Sequence, residues 1–563
     1  MKISFPSLAI LAVTASCSNV SPEVPLQDGA ANFYDIEYVA SNPATDTVPL
    51  RSPSEFYNPI LPGWNSDPSV CRVDSDYYLV TSTFAYYPGV AIFHSSDLLN
   101  WESLGYVIND TSSLQMKGQR ISEGIYAPTI RYNPANKTFY VITTDVAGMG
   151  NFFVKATNPQ GPWSKPILLP DVHGIDPSFF FDTDGRAYIV NNDDAPDNAP
   201  EYSGHRTIRA RQFDVQSDKI VGPEVILVDK GVSPADKPIW IEGPHIYKIG
   251  DAYYLMAAEG GTGDNHSEVL FKAQNPLGPY TPTTRNPILT QRDLPADRFY
   301  PVTCAGHADL VQTTDGDWYA FFLGCRPNKA GFENMGRETF LLPVRFDNDS
   351  TPFITNPGEQ IPLVSQVKGA TLKPNNDLNH VRILSSDHRL PDLTLRSSLD
   401  YVRNTADSVA GGQGADYVHL VKNTSKTTDF GVPSFAGYRL FQHRFSFKAT
   451  MKFLPADSTE CAGLILIKDE SRQYQLCKTR NANGAQVLQA RRTTPSCLTG
   501  EVLAEAECQG DEIVLSVDSP DGLTFRFSYD GKVLIDNLDA SYLSTSKCGG
   551  FTGTTIGFFY NAF

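Results

Sequence analysis

The sequence predicts an all-β protein, a five-bladed β-propeller followed by a β-sandwich. Three observations carry that expectation. Helix-period patterns are scarce, while short β-rich runs bounded by turn residues recur throughout. Between residues 60 and 345 one unit repeats, and from about residue 365 it gives way to clean period-two alternation. A chain of 563 residues is also longer than one ordinary core supports, which agrees with two domains.

Each repeat opens a strand on an acidic or small residue, usually followed by proline. The openings are Asp67-Pro68, Ala127-Pro128, Asp176-Pro177, Glu242-Gly243-Pro244 and Gly306-His307-Ala308. A tight polar turn and a second apolar strand follow, as in Tyr77-Tyr78-Leu79-Val80 or Ala187-Tyr188-Ile189-Val190. Asp184-Gly185 and Asp315-Gly316 are strong hairpin signals. Aligning the four prolines with Ala308 gives spacings of 60, 49, 67 and 64 residues. Four-stranded blades take about 40–50 residues before loops are added. Five units therefore read as five blades, over residues 55–356.

Downstream, Arg444-Phe445-Ser446-Phe447-Lys448 and Ile513-Val514-Leu515-Ser516-Val517 alternate as strands with one buried face. With no strong helices between them, residues 380–563 read as a sandwich. Pro357–Asn379 reads as a linker, and the stretch before Pro59 as an extended leader.

The net charge of −17 argues against nucleic acid or an anionic membrane as partner, and is compatible with a neutral carbohydrate. Lys2, the apolar stretch Ile3 to Ala15 and the small-x-small Val13-Thr14-Ala15 read as a signal peptide over 1–15, hence a secreted protein. Ala15-Ser16-Cys17 also resembles a lipobox, so the alternative is a lipid anchor through Cys17. Thr14, where leucine is usual, favours simple secretion. No transmembrane segment is predicted. Eight cysteines follow Cys17, five of them clustered between Cys461 and Cys548, and their pairing stays open.

The innermost strand of every blade begins near the propeller axis. Asp67, Asp176 and Glu242 take that place on blades one, three and four, opposite Ala127 and the Gly306-His307 pair. Aspartate before proline commonly caps turns, but Glu242 stands at a strand start among apolar neighbours. Three converging carboxylates repel and raise at least one pKa. A structural protein has little use for that, whereas glycoside hydrolysis needs one carboxylic acid and one carboxylate.

Several motifs carry a family resemblance. Asn65-Ser66-Asp67-Pro68-Ser69, Gly174-Ile175-Asp176-Pro177-Ser178, Trp240-Ile241-Glu242-Gly243-Pro244-His245, Gly306-His307-Ala308-Asp309 and Gly336-Arg337-Glu338-Thr339 resemble glycoside hydrolase family 43. The C-terminal part, ending in Gly550-Phe551-Thr552-Gly553-Thr554, resembles the concanavalin-like sandwich of its β-xylosidase-like branch. The resemblance implies an inverting mechanism with Asp67 as general base, Glu242 as general acid, and Asp176 orienting Glu242 and raising its pKa. His307 would help to bind substrate and would bind or approach, through water, a structural calcium ion near the axis, with no cofactor required for the chemistry. Arg326 would bond sugar hydroxyls, Phe84 would offer an apolar platform, and Phe551 would reach the pocket rim from the sandwich. Ser66 and Tyr126 depart from the family's usual Pro and Trp, which bears on sugar specificity.

The implied activity is exo-acting: release of terminal α-L-arabinofuranosyl or β-D-xylosyl units from arabinoxylan or xylo- and arabino-oligosaccharides, by a monomer. The layout, with its extended leader, leans toward arabinofuranosidase. Two alternatives remain: an endo-arabinanase, disfavoured by the appended sandwich, and an inactive carbohydrate-binding protein, disfavoured by the three intact acids.

Overall fold

The structure is a computed structural model describing residues 26–374, 376–387, 392–399 and 417–562; the expected signal peptide and Cys17 lie outside them. Four sheets of the first domain are antiparallel blades, each built outward from its strand nearest the axis. Blade one runs Ser69–Val73, Asp76–Thr81, Gly89–Ser95, Glu102–Ile108. Blades two, three and four start with Ile125–Asn133, Ile175–Phe181 and Glu242–Ile249. The fifth sheet has three strands among the described residues: Thr303–Gln312, Trp318–Cys325 and Glu338–Pro343.

Five apolar seams join neighbouring blades in a ring. Val80 and Ile92 of blade one meet Ile130 and Val141 of blade two. Ile142 and Phe153 then meet Phe179 and Ile189. Val190 and Ile208 meet Ile246 and Leu255, and Met256 and Leu270 meet Leu310 and Phe322. The last seam sets Phe321 and Leu341 of blade five against Val70 and Leu79 of blade one, closing the circle. A backbone clasp reinforces it: Leu61, just before blade one, exchanges two 3.2 Å hydrogen bonds with Thr339 on the outer strand of blade five. Across the axis, Asp309 of blade five accepts two bonds from Arg131 of blade two, at 2.7 and 2.9 Å. It also accepts from Tyr247 of blade four and Ser69 of blade one. A fully buried carboxylate survives because every lone pair has a donor.

The second domain is the expected sandwich, with one addition. Its seven-stranded sheet carries Ala30–Ser41 between His380–Leu384 and Arg444–Lys452. The stretch read as a leader thus contains an internal sandwich strand, and the argument for arabinofuranosidase that leaned on a leader falls with it. Phe33, Tyr38 and Ala40 enter the sandwich core beside Phe447, Leu515 and Phe558. Arg444 to Lys448 alternates as predicted. The opposite six-stranded sheet does not: Glu460–Ile467 is buried at every residue. Its outer face packs on the propeller, where Phe435, Ile465 and Phe559 meet Trp64, Phe84 and Tyr86. A sheet covered on both faces loses the polar alternation that sequence reading relies on.

Candidate active site

The five inner strands share one local device. Asp67, Ala127, Asp176, Gly243 and His307 all have left-handed backbone, with φ of 54°, 36°, 54°, 55° and 53°. In blades two to five the ladder skips register at this point. Non-glycine residues avoid such φ values, so a feature recurring at each blade start belongs to the repeat itself. Aspartate tolerates the left-handed region better than most residues and can sit ahead of proline.

The device corrects one detail of the repeat alignment. The residue of blade four equivalent to Asp67 and Asp176 is Gly243, and Glu242 stands one position earlier. The reason is steric: a Cβ at Gly243 would lie 2.9 Å from the His307 ring. With His307 occupying that space, the carboxylate of blade four has to come from the residue before.

Asp67, Asp176 and Glu242 are all buried and near enough to influence one another, yet their environments diverge. Burial pushes Asp67 up, but Arg337, His307 and the Ser82 hydroxyl outweigh it and hold its carboxyl below the ordinary value. Arg337 Nη1 lies 3.3 Å from Asp67 Oδ1, and Ser82 Oγ donates to Oδ2 at 2.5 Å. Glu242 is pushed up to about 8, first by burial and then by the Asp176 charge. Asp176 is raised, chiefly by burial, although it accepts a 3.1 Å bond from the Gly243 amide. One ionised and one protonated carboxyl in a single site is the pairing that acid–base catalysis requires.

Other expected site residues divide. Phe84 is fully buried beneath the site, with Arg337 6.0 Å above its ring. Phe551 does extend from the sandwich: its ring lies 5.0 Å from the Arg337 guanidinium and edge-on to Tyr126 at 5.5 Å. Ser122 anchors that loop by accepting from the Phe551 amide at 3.0 Å. Of the two departures from the family pattern, Tyr126 belongs to this wall, and Ser66 donates to the Arg337 carbonyl at 3.2 Å.

Arg326 is not at the pocket. Its guanidinium is buried in a two-pronged pair with Glu338, both bonds 2.6 Å, and bonds Gln442 and the Phe441 carbonyl of the sandwich. It staples the two domains and has little donor capacity left for a sugar. The arginine beside the acids is Arg337, inside a motif already recognised but unassigned. Two ions, Arg337 and Glu338, at the entrance of the apolar strand Thr339-Phe340-Leu341-Leu342 were the available signal. Ser82 was also legible: Ser69 pairs with Val80, so two residues further out Asp67 faces Ser82.

His307 packs over Gly243 beside the acids. Among the described residues no three His, Cys, Asp or Glu side chains gather as a metal site, and Asp309 is committed to Arg131 and Tyr247. Two buried groups support the start of blade five. Glu268 accepts from the Ala308 amide at 2.9 Å. His266, kept neutral because burial lowers its pKa to about 4, donates to the Cys304 carbonyl at 2.8 Å.

Comparison with known proteins agrees with this geometry. Residues 56–352 match the model of glycosyl hydrolases family 43, and residues 407–563 match the β-xylosidase C-terminal concanavalin A-like domain. The chain is 35% identical over 513 residues to a non-reducing end α-L-arabinofuranosidase of Bacteroides ovatus, covering 90% of this chain and 91% of that one. It is 34% identical over 521 residues to a xylosidase/arabinosidase of Butyrivibrio fibrisolvens, covering 89% and 95%. A crystal structure of a family 43 protein from a capybara gut metagenome superposes with a TM-score of 0.83 at 37% identity, covering 95% of this chain and all of that one. The chain therefore belongs to glycosyl hydrolase family 43 and is a glycosidase carrying that C-terminal domain.

Proposed function

We propose that the protein is an exo-acting, inverting hydrolase that removes terminal α-L-arabinofuranosyl or β-D-xylosyl units from arabinoxylan and related oligosaccharides. The observation carrying the mechanism is the contrast between two buried carboxyls. Asp67 lies 3.3 Å from Arg337 and accepts from Ser82 at 2.5 Å, which favours its ionised form. Glu242 is buried near the Asp176 charge, which favours its protonated form. Ionised Asp67 takes a proton from water as that water attacks the anomeric carbon. Protonated Glu242 gives its proton to the departing glycosidic oxygen. The bond to the leaving sugar breaks as the bond to water oxygen forms, so the configuration inverts. Asp176 keeps Glu242 protonated by like-charge repulsion, and Arg337 keeps Asp67 ionised. No cofactor enters this sequence.

The substrate class is supported by the relatives, one named for the non-reducing end and another for both sugars. Export is supported by the N-terminal sequence of Lys2 and an apolar run. Among the described residues no helix is long and apolar enough to cross a membrane. We expect a monomer. The test is product analysis on arabinoxylan, xylo-oligosaccharides and linear arabinan, with proton NMR of the first-formed anomer. Monosaccharide of inverted configuration supports the reading. Internal oligomers from arabinan would indicate an endo-arabinanase, and absence of any product a binding protein.

A further inference from the structure

Around Arg337, Phe84 is buried and Tyr126 and Phe551 are half-buried. Trp240, two residues before Glu242, leaves 40% of its surface in solvent. It is not a loose side chain. Its backbone is left-handed at φ 52°, and its amide donates to the Gly204 carbonyl at 2.8 Å. The preceding Ile239 carbonyl accepts from the Gly260 amide at 2.9 Å, and the Pro238 carbonyl accepts from Tyr202 Oη at 2.6 Å. A Cβ on Gly204 would collide with Ile239 at 2.8 Å, so the two loops are in tight contact. The loop contacts therefore fix in place a large apolar ring that stands partly in water two residues from Glu242.

Arg206 lies against this ring, its guanidinium carbon 5.0 Å from the Trp240 centroid. Nε and Nη2 both donate to Asn192 Oδ1, at 3.2 and 2.7 Å, and Asn192 Nδ2 donates to the Ile241 carbonyl at 2.6 Å. Arg206 also pairs with Asp194. A chain of fixed contacts thus joins Trp240, Arg206 and the residue before the general acid.

We infer that Trp240 and Arg206 form the binding site for the leaving group, and that its occupant is a xylopyranosyl residue. This rests on the exo-hydrolase reading above. The general acid must reach the glycosidic oxygen from the leaving-group side, so the sugar beyond the scissile bond lies next to Glu242. In both variants of the reading that sugar is the same: arabinose leaves a xylose backbone, and terminal xylose leaves a xylo-oligosaccharide. A pyranose ring presents a flat face of C–H bonds suited to an indole, while its hydroxyls suit a guanidinium. Contacts of this kind set which leaving groups are accepted.

The test compares kcat/KM for an oligosaccharide with kcat/KM for the glycosyl fluoride of the same terminal sugar, whose leaving group is too small to touch Trp240. Replacing the indole in Trp240→Ala is expected to lower the oligosaccharide-to-fluoride ratio at least tenfold. Trp240→Leu, which keeps apolar bulk in the loop without a flat ring, is expected to show the same loss, and Trp240→Phe to recover most of the ratio. An unchanged ratio in the Ala and Leu variants, or equal loss on both substrates, overturns the assignment. A wild type that cleaves neither substrate overturns the exo-hydrolase reading, and this subsite with it.

Discussion

The imidazole of His307 fills the space over Gly243, so that a methyl group on that glycine would stand 2.9 Å from the ring. This contact between blades five and four goes with the placing of Glu242, the acid of the proposed mechanism. Glycine yields the axial position to histidine, and Glu242 supplies the carboxylate from one residue upstream. Gly243→Ala would meet both the ring and a left-handed φ of 55°. Displacing Glu242 or His307 by about 1 Å is enough to cost roughly 100-fold in rate. The expected outcome is a kcat reduced on that scale with the fold retained, measured by steady-state kinetics alongside circular dichroism.

The two arginines of blade five should separate cleanly. Arg337 lies 3.3 Å from Asp67 and lowers its pKa; removing the charge in Arg337→Met raises that pKa. The acidic limb of the kcat/KM profile is then expected to move to higher pH. Arg326→Met strands Glu338 in the interior, and breaking such a pair typically costs about 3–5 kcal/mol. It is expected to lower Tm and leave the acidic limb where it was.

The N-terminal strand gives a test of domain structure. Ala30–Ser41 pairs with strands on both of its sides in the seven-stranded sheet. Deleting it exposes the edges of Arg444–Lys452 and His380–Leu384 and empties the core positions of Phe33 and Tyr38. Insoluble protein, or rapid proteolysis confined to the sandwich, is the expected result. A soluble, protease-resistant deletion would contradict the assignment of this strand.

Much of this was legible in the sequence because the propeller repeats itself. Pro68, Pro128, Pro177 and Pro244 mark a point where the chain bends the same way four times, and the acids stand beside it. What escaped is decided by partners far away in the sequence. Ala30–Ser41 pairs with residues more than 300 positions away, so nothing nearby announces its partner. Arg326 and Arg337 are chemically alike, and only the fold shows that one faces Glu338 while the other faces Asp67. The one-residue offset of Glu242 depends on the His307 ring, which arrives from a different blade.

Glu242 also links stability to pH. Its folded pKa is about 8 against an ordinary 4.5, so the folded state retains a proton that the unfolded state releases. The contribution is fully present below pH 4.5 and is lost as pH rises toward 8. Glu242→Gln removes this dependence. Its Tm advantage over wild type is expected to grow between pH 5 and pH 8, as read by differential scanning calorimetry. A constant difference across that range would mean that Glu242 is not raised.

The pH profile of kcat/KM for wild type and Asp176→Asn on a single substrate tests the division of labour most directly. With Asp67 ionised and Glu242 protonated in the active form, wild-type activity should fall as pH rises through about 8. Asp176 raises the Glu242 pKa by charge repulsion, so neutralising it should move that alkaline limb down by about one unit or more. An alkaline limb that stays in place in Asp176→Asn would contradict the account.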